Sequence, residues 1–342
     1  MSGIGQMMLS ARTRFNFVAV AHANSPYVSI YPWTSSGFGT KFSNPGTLPT
    51  GTGNAVTFSP SSYVVVVAHN TSPYVSAYEW TASGFGNKFS NPGTAVAGTA
   101  KGVTFSSAGD VVAVAHDSAP YVTAYAWSSS GFGAKFSDPS TLPTSTGNSV
   151  AFTPAVDAVA VAHATNPFVS TYAWSGSGFG AKFSNPVPVP SNLGNGVMFN
   201  PSGNVLAVAH GLSPFISAYA WSGSGFGSKY SNPGTLPTGP GNGIAFSRSG
   251  NEIAMAHSTS PYVTAYPWSS GFGSKFSDPS TLPTGAGIGI AFSVAGDVLA
   301  VAHSTSPFVS AYAWSASGFG SKFSDPGTLP AGAGRGVAFG YF

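Results

Sequence analysis

Histidine is the residue of this chain best suited to chemistry, and it falls in register. His22, His69, His116, His163, His210, His257 and His303 are separated by 47, 47, 47, 47, 47 and 46 residues. Imidazoles in such a series could ligate a metal, move protons, or titrate together near neutrality. A tryptophan follows each of them eleven residues later, at Trp33, Trp80, Trp127, Trp174, Trp221, Trp268 and Trp314. A lysine keeps the same step at Lys41, Lys88, Lys135, Lys182, Lys229, Lys275 and Lys322. Any chemistry offered by one unit is therefore offered seven times.

The remaining candidates for chemistry are sparse. Most of the nine carboxylates fall at turns or exchange with asparagine before proline (Asn44, Asn91, Asp138, Asn185, Asn232, Asp278, Asp325). That exchange makes the charge dispensable, and turn geometry accounts for both residue types. No two carboxylates are set apart as an acid and a base. Each serine near a histidine is itself a repeat position, so a triad would need a partner that breaks the symmetry. Cysteine is absent, which removes thiolate chemistry, disulfides and cysteine-ligated metals. The expectation is a protein that is not an enzyme, with no catalytic residue, metal or cofactor.

The elements that must position these residues can be read from one unit. In the third, residues 102–106 alternate and meet a turn at Ala108-Gly109-Asp110. Residues 111–116 form a second β-rich run, residues 121–127 a third and residues 132–136 a fourth. The third places Tyr121, Thr123, Tyr125 and Trp127 on one face and Val122, Ala124 and Ala126 on the other. Four short strands joined by turn residues make an antiparallel sheet. With one bulky and one small apolar face, it packs best between copies of itself. Helical periodicity is absent. The predicted fold class is all-β: a seven-bladed β-propeller with four antiparallel strands per blade.

The chain ends predict a closed ring. Residues 15–22 match the second strand of a unit, and residues 336–339 match a first strand that has no blade of its own. The C-terminal strand should complete the N-terminal blade. The predicted domains are an anchor peptide, residues 1–11, and the propeller, residues 12–342.

Ring geometry then weighs the repeated residues. Second strands about 13 Å from the axis put neighbouring histidines roughly 11 Å apart, given strands spaced about 4.8 Å. Zinc needs its ligands about 2 Å away, so no two of these histidines share an ion. The expected role is a polar staple to backbone in the adjacent turn, with a pH-responsive ring as the competing reading. The aromatic face is read as core between blades. The lysines are read as guards of the outer edge against strand pairing.

Symmetry is broken in the loops. Residues 91–101 and 185–195 depart from the common inter-blade pattern, and the turns after the histidines vary. Lys101, Asp117, Leu193 and Leu212 are the candidate recognition residues, on the face where these two loop classes open. Ile4, Met7, Met8 and Leu9 form an apolar cluster in the segment outside the repeats, the candidate assembly anchor, on the opposite face.

The pattern Val-Ala-Phe-Ser-Pro-x-Gly-x-x-x-Ala-Val-Ala-His, followed by an apolar strand ending in Trp, resembles WD-repeat-type propellers across residues 12–342. It departs from them where Ser or Thr follows Trp, and in the place of the histidine. The string His-x-x-Ser-Pro-Tyr/Phe-Val with Gly-Phe-Gly-x-Lys-Phe-Ser-Asn/Asp-Pro resembles repeats of virion-associated proteins of tailed bacteriophages. That resemblance implies a non-enzymatic structural and recognition protein of the virion, assembled in host cytoplasm. Its partners would be other virion proteins, with a host-surface glycan as a further ligand. The alternative is a lectin-like propeller with one sugar site per blade. A net charge of +3 is too small and dispersed for nucleic acid. The apolar runs are strand-sized, too short for a membrane span, and residues 1–11 lack the features of a secretion signal.

Overall fold

A computed structural model describes residues 16–342. The proposed anchor residues Ile4, Met7, Met8 and Leu9 lie outside the described residues. All regular structure from Asn16 onward is β, in seven antiparallel sheets, six of them made of consecutive strands. Blade 3 is typical, running from inner to outer strand as Ala100–Phe105, Val111–His116, Val122–Ser128 and Gly131–Lys135. Alternating small and β-branched residues supply the two faces, and Gly109 supplies the left-handed turn residue (φ 76°) between the first two strands.

The ring closes through the two chain ends. Gly334–Tyr341 is the inner strand of blade 1 and pairs antiparallel with Asn16–His22, from Asn16 against Tyr341 to His22 against Gly334. Phe342 then packs on Phe17 and stacks on Tyr63, with ring centroids 5.1 and 5.2 Å apart.

Blade 6 departs from the pattern. Its sheet has three strands, and in place of the outer strand it keeps a single bridge between Trp268 and Phe272. Here the repeat is one residue short, Trp-Ser-Ser-Gly where blade 5 has Trp-Ser-Gly-Ser-Gly. The shorter turn cannot form the pair that Ser222 and Gly225 make in blade 5, and Gly271 is pulled to φ 150° against 101° for Gly225.

The core lies between blades. The small face of blade 2 (Val66, Ala68, Val75, Ala77) packs on the bulky face of blade 3 (Val112, Val114, Tyr125, Trp127). Each tryptophan is the node of an aromatic cluster. Trp127 meets Phe132 of its own outer strand at 4.9 Å and Phe89 of the preceding blade at 5.2 Å, both edge-on, the arrangement favoured by ring quadrupoles.

The third strand starts one residue later than expected, because Tyr121 belongs to the turn. It adopts φ 69°, as do Tyr27, Tyr74, Phe168, Phe215, Tyr262 and Phe308 within a few degrees. Its amide donates to Ser118 O and its carbonyl accepts from His116 N. Alternation reads the aromatic as a strand residue. A left-handed bulky residue carries no periodic signal.

Candidate functional site

The histidines close this same turn from beneath. Each of the seven is fully buried. His22 Nε2 lies 3.0 Å from Ser29 Oγ, and the bond recurs seven residues on in every blade, with Thr123 and Thr264 taking the place of serine. The partner of Nε2 is thus a hydroxyl of the next strand. Burial lowers every one of these histidines to about 4, well below the ordinary 6.5. They are neutral at pH 7, so the ring does not titrate near neutrality. Among the described residues, no three His, Cys, Asp or Glu side chains are grouped to hold a metal.

Lysines and tryptophans are likewise engaged inside the fold. Lys135, Lys275 and Lys322 pair with Asp138, Asp278 and Asp325 three residues on, and Lys41 and Lys88 reach Asn44 and Asn91 in the same way. Tyr125 is wholly buried and Trp127 is 9% exposed, so the aromatic face offers no shelf to a sugar.

The chain breaks its symmetry at the axis. Pairing of Gly53 with His69 and its equivalents puts the start of each inner strand on the same face as the turns after the histidines. The second residue of each inner strand, in ring order from blade 1, is Arg335, Asn54, Lys101, Asn148, Asn195, Asn242 and Ile288. All seven line one depression of about 760 Å³ at the mouth of the central channel. The asparagines are clamped to the neighbouring blade. Asn54, Asn148 and Asn195 donate Nδ2 to Ala100 O, Gly194 O and Gly241 O at 2.8 Å, and Asn242 to Gly287 O at 2.7 Å. Each amide so held keeps its Oδ1 as an acceptor.

Below the mouth the channel narrows because glycine lets inner strands approach backbone to backbone. A Cβ on Gly336 would lie 2.9 Å from Ala55 Cα, and one on Gly102 3.0 Å from Ser149 Cα. The depression is therefore a funnel over a neck. Thr52, Thr99 and Asn70 widen it on the side of Lys101, and Ala286 borders Ile288. Lys101 and Arg335 are exposed, two cations with one blade between them and no carboxylate among the lining residues.

Asp117 stands on this face, in the turn whose equivalents are Ala23, Asn70, Ala164, Gly211, Ser258 and Ser304. Two of those equivalents, Asn70 and Ser258, line the mouth. Its amide donates to Thr99 O at 3.1 Å and its Oδ1 accepts from Ser118 Oγ at 3.1 Å. Leu193 and Leu212 stand in the loops of blade 5, where Gly211 N donates to Leu193 O at 3.1 Å and Leu212 is 55% exposed. Of the loop residues singled out from sequence, Lys101 lines the mouth and Asp117 borders it. The two leucines do not line it. Arg335 and the asparagines were missed because they sit in strands read as constant. The signal was present in one column of the repeat, at 54, 101, 148, 195, 242, 288 and 335.

No family model and no curated protein matches this chain. Solved structures of the same shape do. A protein of Bacteroides fragilis named as a candidate 6-phosphogluconolactonase matches with a TM-score of 0.71 at 12% identity, covering 96% of this chain and 99% of its own. One of Bacteroides uniformis with the same candidate name matches at 0.69 and 14%, covering 95% and 99%. The periplasmic gluconolactonase of Pseudomonas aeruginosa matches at 0.69 and 16%, covering 96% and 99%. Identities this low establish the class, a seven-bladed β-propeller, and nothing finer.

These likenesses correct the expectation of a non-enzymatic virion protein, and with it the expectation of no enzyme. Propellers that match over nearly the whole chain carry lactonase names. The physical reason for the error is visible at the axis. The repeated residues argue against chemistry, whereas the residues that converge are the unrepeated ones.

Proposed function

We propose that the channel mouth binds a small polyhydroxylated anion and hydrolyses its lactone ring. The observation that carries this reading is the pair Lys101 and Arg335, set in an otherwise neutral ring of four pinned amides and one isoleucine. The names of the similar propellers supply the reaction class. The two cations hold the anionic group and stabilise negative charge developing on the lactone carbonyl oxygen. The Oδ1 atoms of Asn148, Asn195 and Asn242 accept hydrogen bonds from substrate hydroxyls. Water forms a bond to the carbonyl carbon, the ring C–O bond breaks, and the proton taken from water passes to the departing alkoxide. The single product is a hydroxy acid, whose new carboxyl group ionises and releases one proton.

The test is hydrolysis of δ-gluconolactone and of 6-phosphogluconolactone, followed by titration of released acid against the spontaneous rate. Lys101→Met and Arg335→Met should each raise KM about tenfold or more, the cost of losing a hydrogen bond to a charged group. Release at the spontaneous rate with wild-type protein would refute the reading.

A further inference from the structure

The mouth is asymmetric in a way that a purely hydrophilic ligand does not require. Four blades carry the amide clamp, and three lack it. Those three are not scattered: in ring order blades 7, 1, 2 and 3 present Ile288, Arg335, Asn54 and Lys101. The opposite arc is uniform, with Asn148, Asn195 and Asn242 in sequence. One half of the mouth thus repeats a single contact, while the other half reads apolar, cation, amide, cation.

Blade 7 is apolar twice over. Beside Ile288 stands Ala286, where blades 2 and 3 present Thr52 and Thr99 to the same depression. Ile288 is half-buried, so it offers a β-branched surface to anything lodged against Arg335. It belongs to neither of the apolar clusters that flank blade 7, and it makes no clamp onto blade 1 like the one that Asn242 makes onto Gly287 O of blade 7. An asparagine here would be the ordinary residue of the fold. Isoleucine instead exposes apolar surface to water beside a cation, a local cost that a ligand would remove.

Building on the lactone reading above, we infer that the substrate is amphiphilic. Its anionic group sits on Arg335 and Lys101, and an alkyl or other apolar substituent lies against Ile288 and Ala286. The class is a lactone, or its hydroxy-acid product, that bears an aliphatic substituent near its charged end. The selective residue is Ile288. Covering its exposed part contributes on the order of tenfold in affinity.

The probes are gluconate, methyl phosphate and hexyl phosphate, titrated calorimetrically into wild-type protein and into the Ile288→Asn and Arg335→Met variants. Hexyl phosphate should bind about tenfold tighter than methyl phosphate, and Ile288→Asn should abolish that gain while leaving methyl phosphate unchanged. Arg335→Met should weaken both. Four blades already carry asparagine at this position, so the variant keeps the fold, and an unchanged melting temperature verifies it. Equal affinity for the two phosphates, with gluconate bound, overturns the amphiphilic substrate and leaves the lactonase reading standing. Failure of all three anions to bind removes both.

Discussion

At the scale of the residue, the histidines show how burial redirects a reactive side chain. Their imidazoles are stapled to Ser29 and its equivalents and held neutral. With pKa values of about 4 in the fold and 6.5 for a solvated imidazole, the unfolded chain takes up protons first as pH falls. Stability is therefore full above about pH 6.5 and declines down to pH 4, with each histidine adding about 1.4 kcal/mol per pH unit to the slope. Urea midpoints measured between pH 7 and pH 4 should fall steeply. His163→Gln should flatten that dependence by about one seventh, and a flat profile would show that the imidazoles are not desolvated. No such titration is expected to modulate the mouth, where none of the histidines reaches the lining.

Elements are held by what their neighbours lend them. Trp127 sits between its own hairpin and the phenylalanine of the preceding blade, so truncation leaves a void between two sheets. Trp127→Ala should cost about 3–5 kcal/mol, read as a shift in urea midpoint, and a loss below about 1 kcal/mol would contradict the packing. Blade 6 offers the converse test. Inserting glycine between Ser269 and Ser270 restores the repeat length, and the amide of Gly271, paired then with Ser269 as Gly225 is with Ser222, should exchange more slowly with solvent. Unchanged exchange would mean that the lost pair has another cause than the short turn. The strand order and turn positions were legible because alternation and Gly or Asp-Pro punctuation report local geometry. The left-handed Tyr121 was not, since its conformation depends on hydrogen bonds to Ser118 and His116.

For the whole molecule, closure makes stability a property of the ring. Gly334–Tyr341 supplies the inner strand of blade 1; it packs against blade 7 through Val337 and Phe339 and, with Phe342, against blade 2 through Ala338. Removing residues 334–342 should expose the apolar faces of blades 7 and 2. Loss of a single cooperative transition, or aggregation on sizing, is the expected result. A truncated chain that melts as wild type would mean that the seam contributes nothing. The same closure creates the mouth, because only a ring points seven equivalent strand starts at one axis.

The sequence alone determined the period, the number of blades, the order of strands within each and the pairing of the two ends. These follow from hydrophobic alternation and from self-similarity, which are local or repeated signals. What only the tertiary structure decided is which differences between repeats count. Arg335, Asn54 and Lys101 are 47 or more residues apart along the chain, and along the chain each is one polar residue in a strand. Closing the ring brings them to the rim of one funnel, where the low-dielectric walls of a shared cleft let the fields of two cations add.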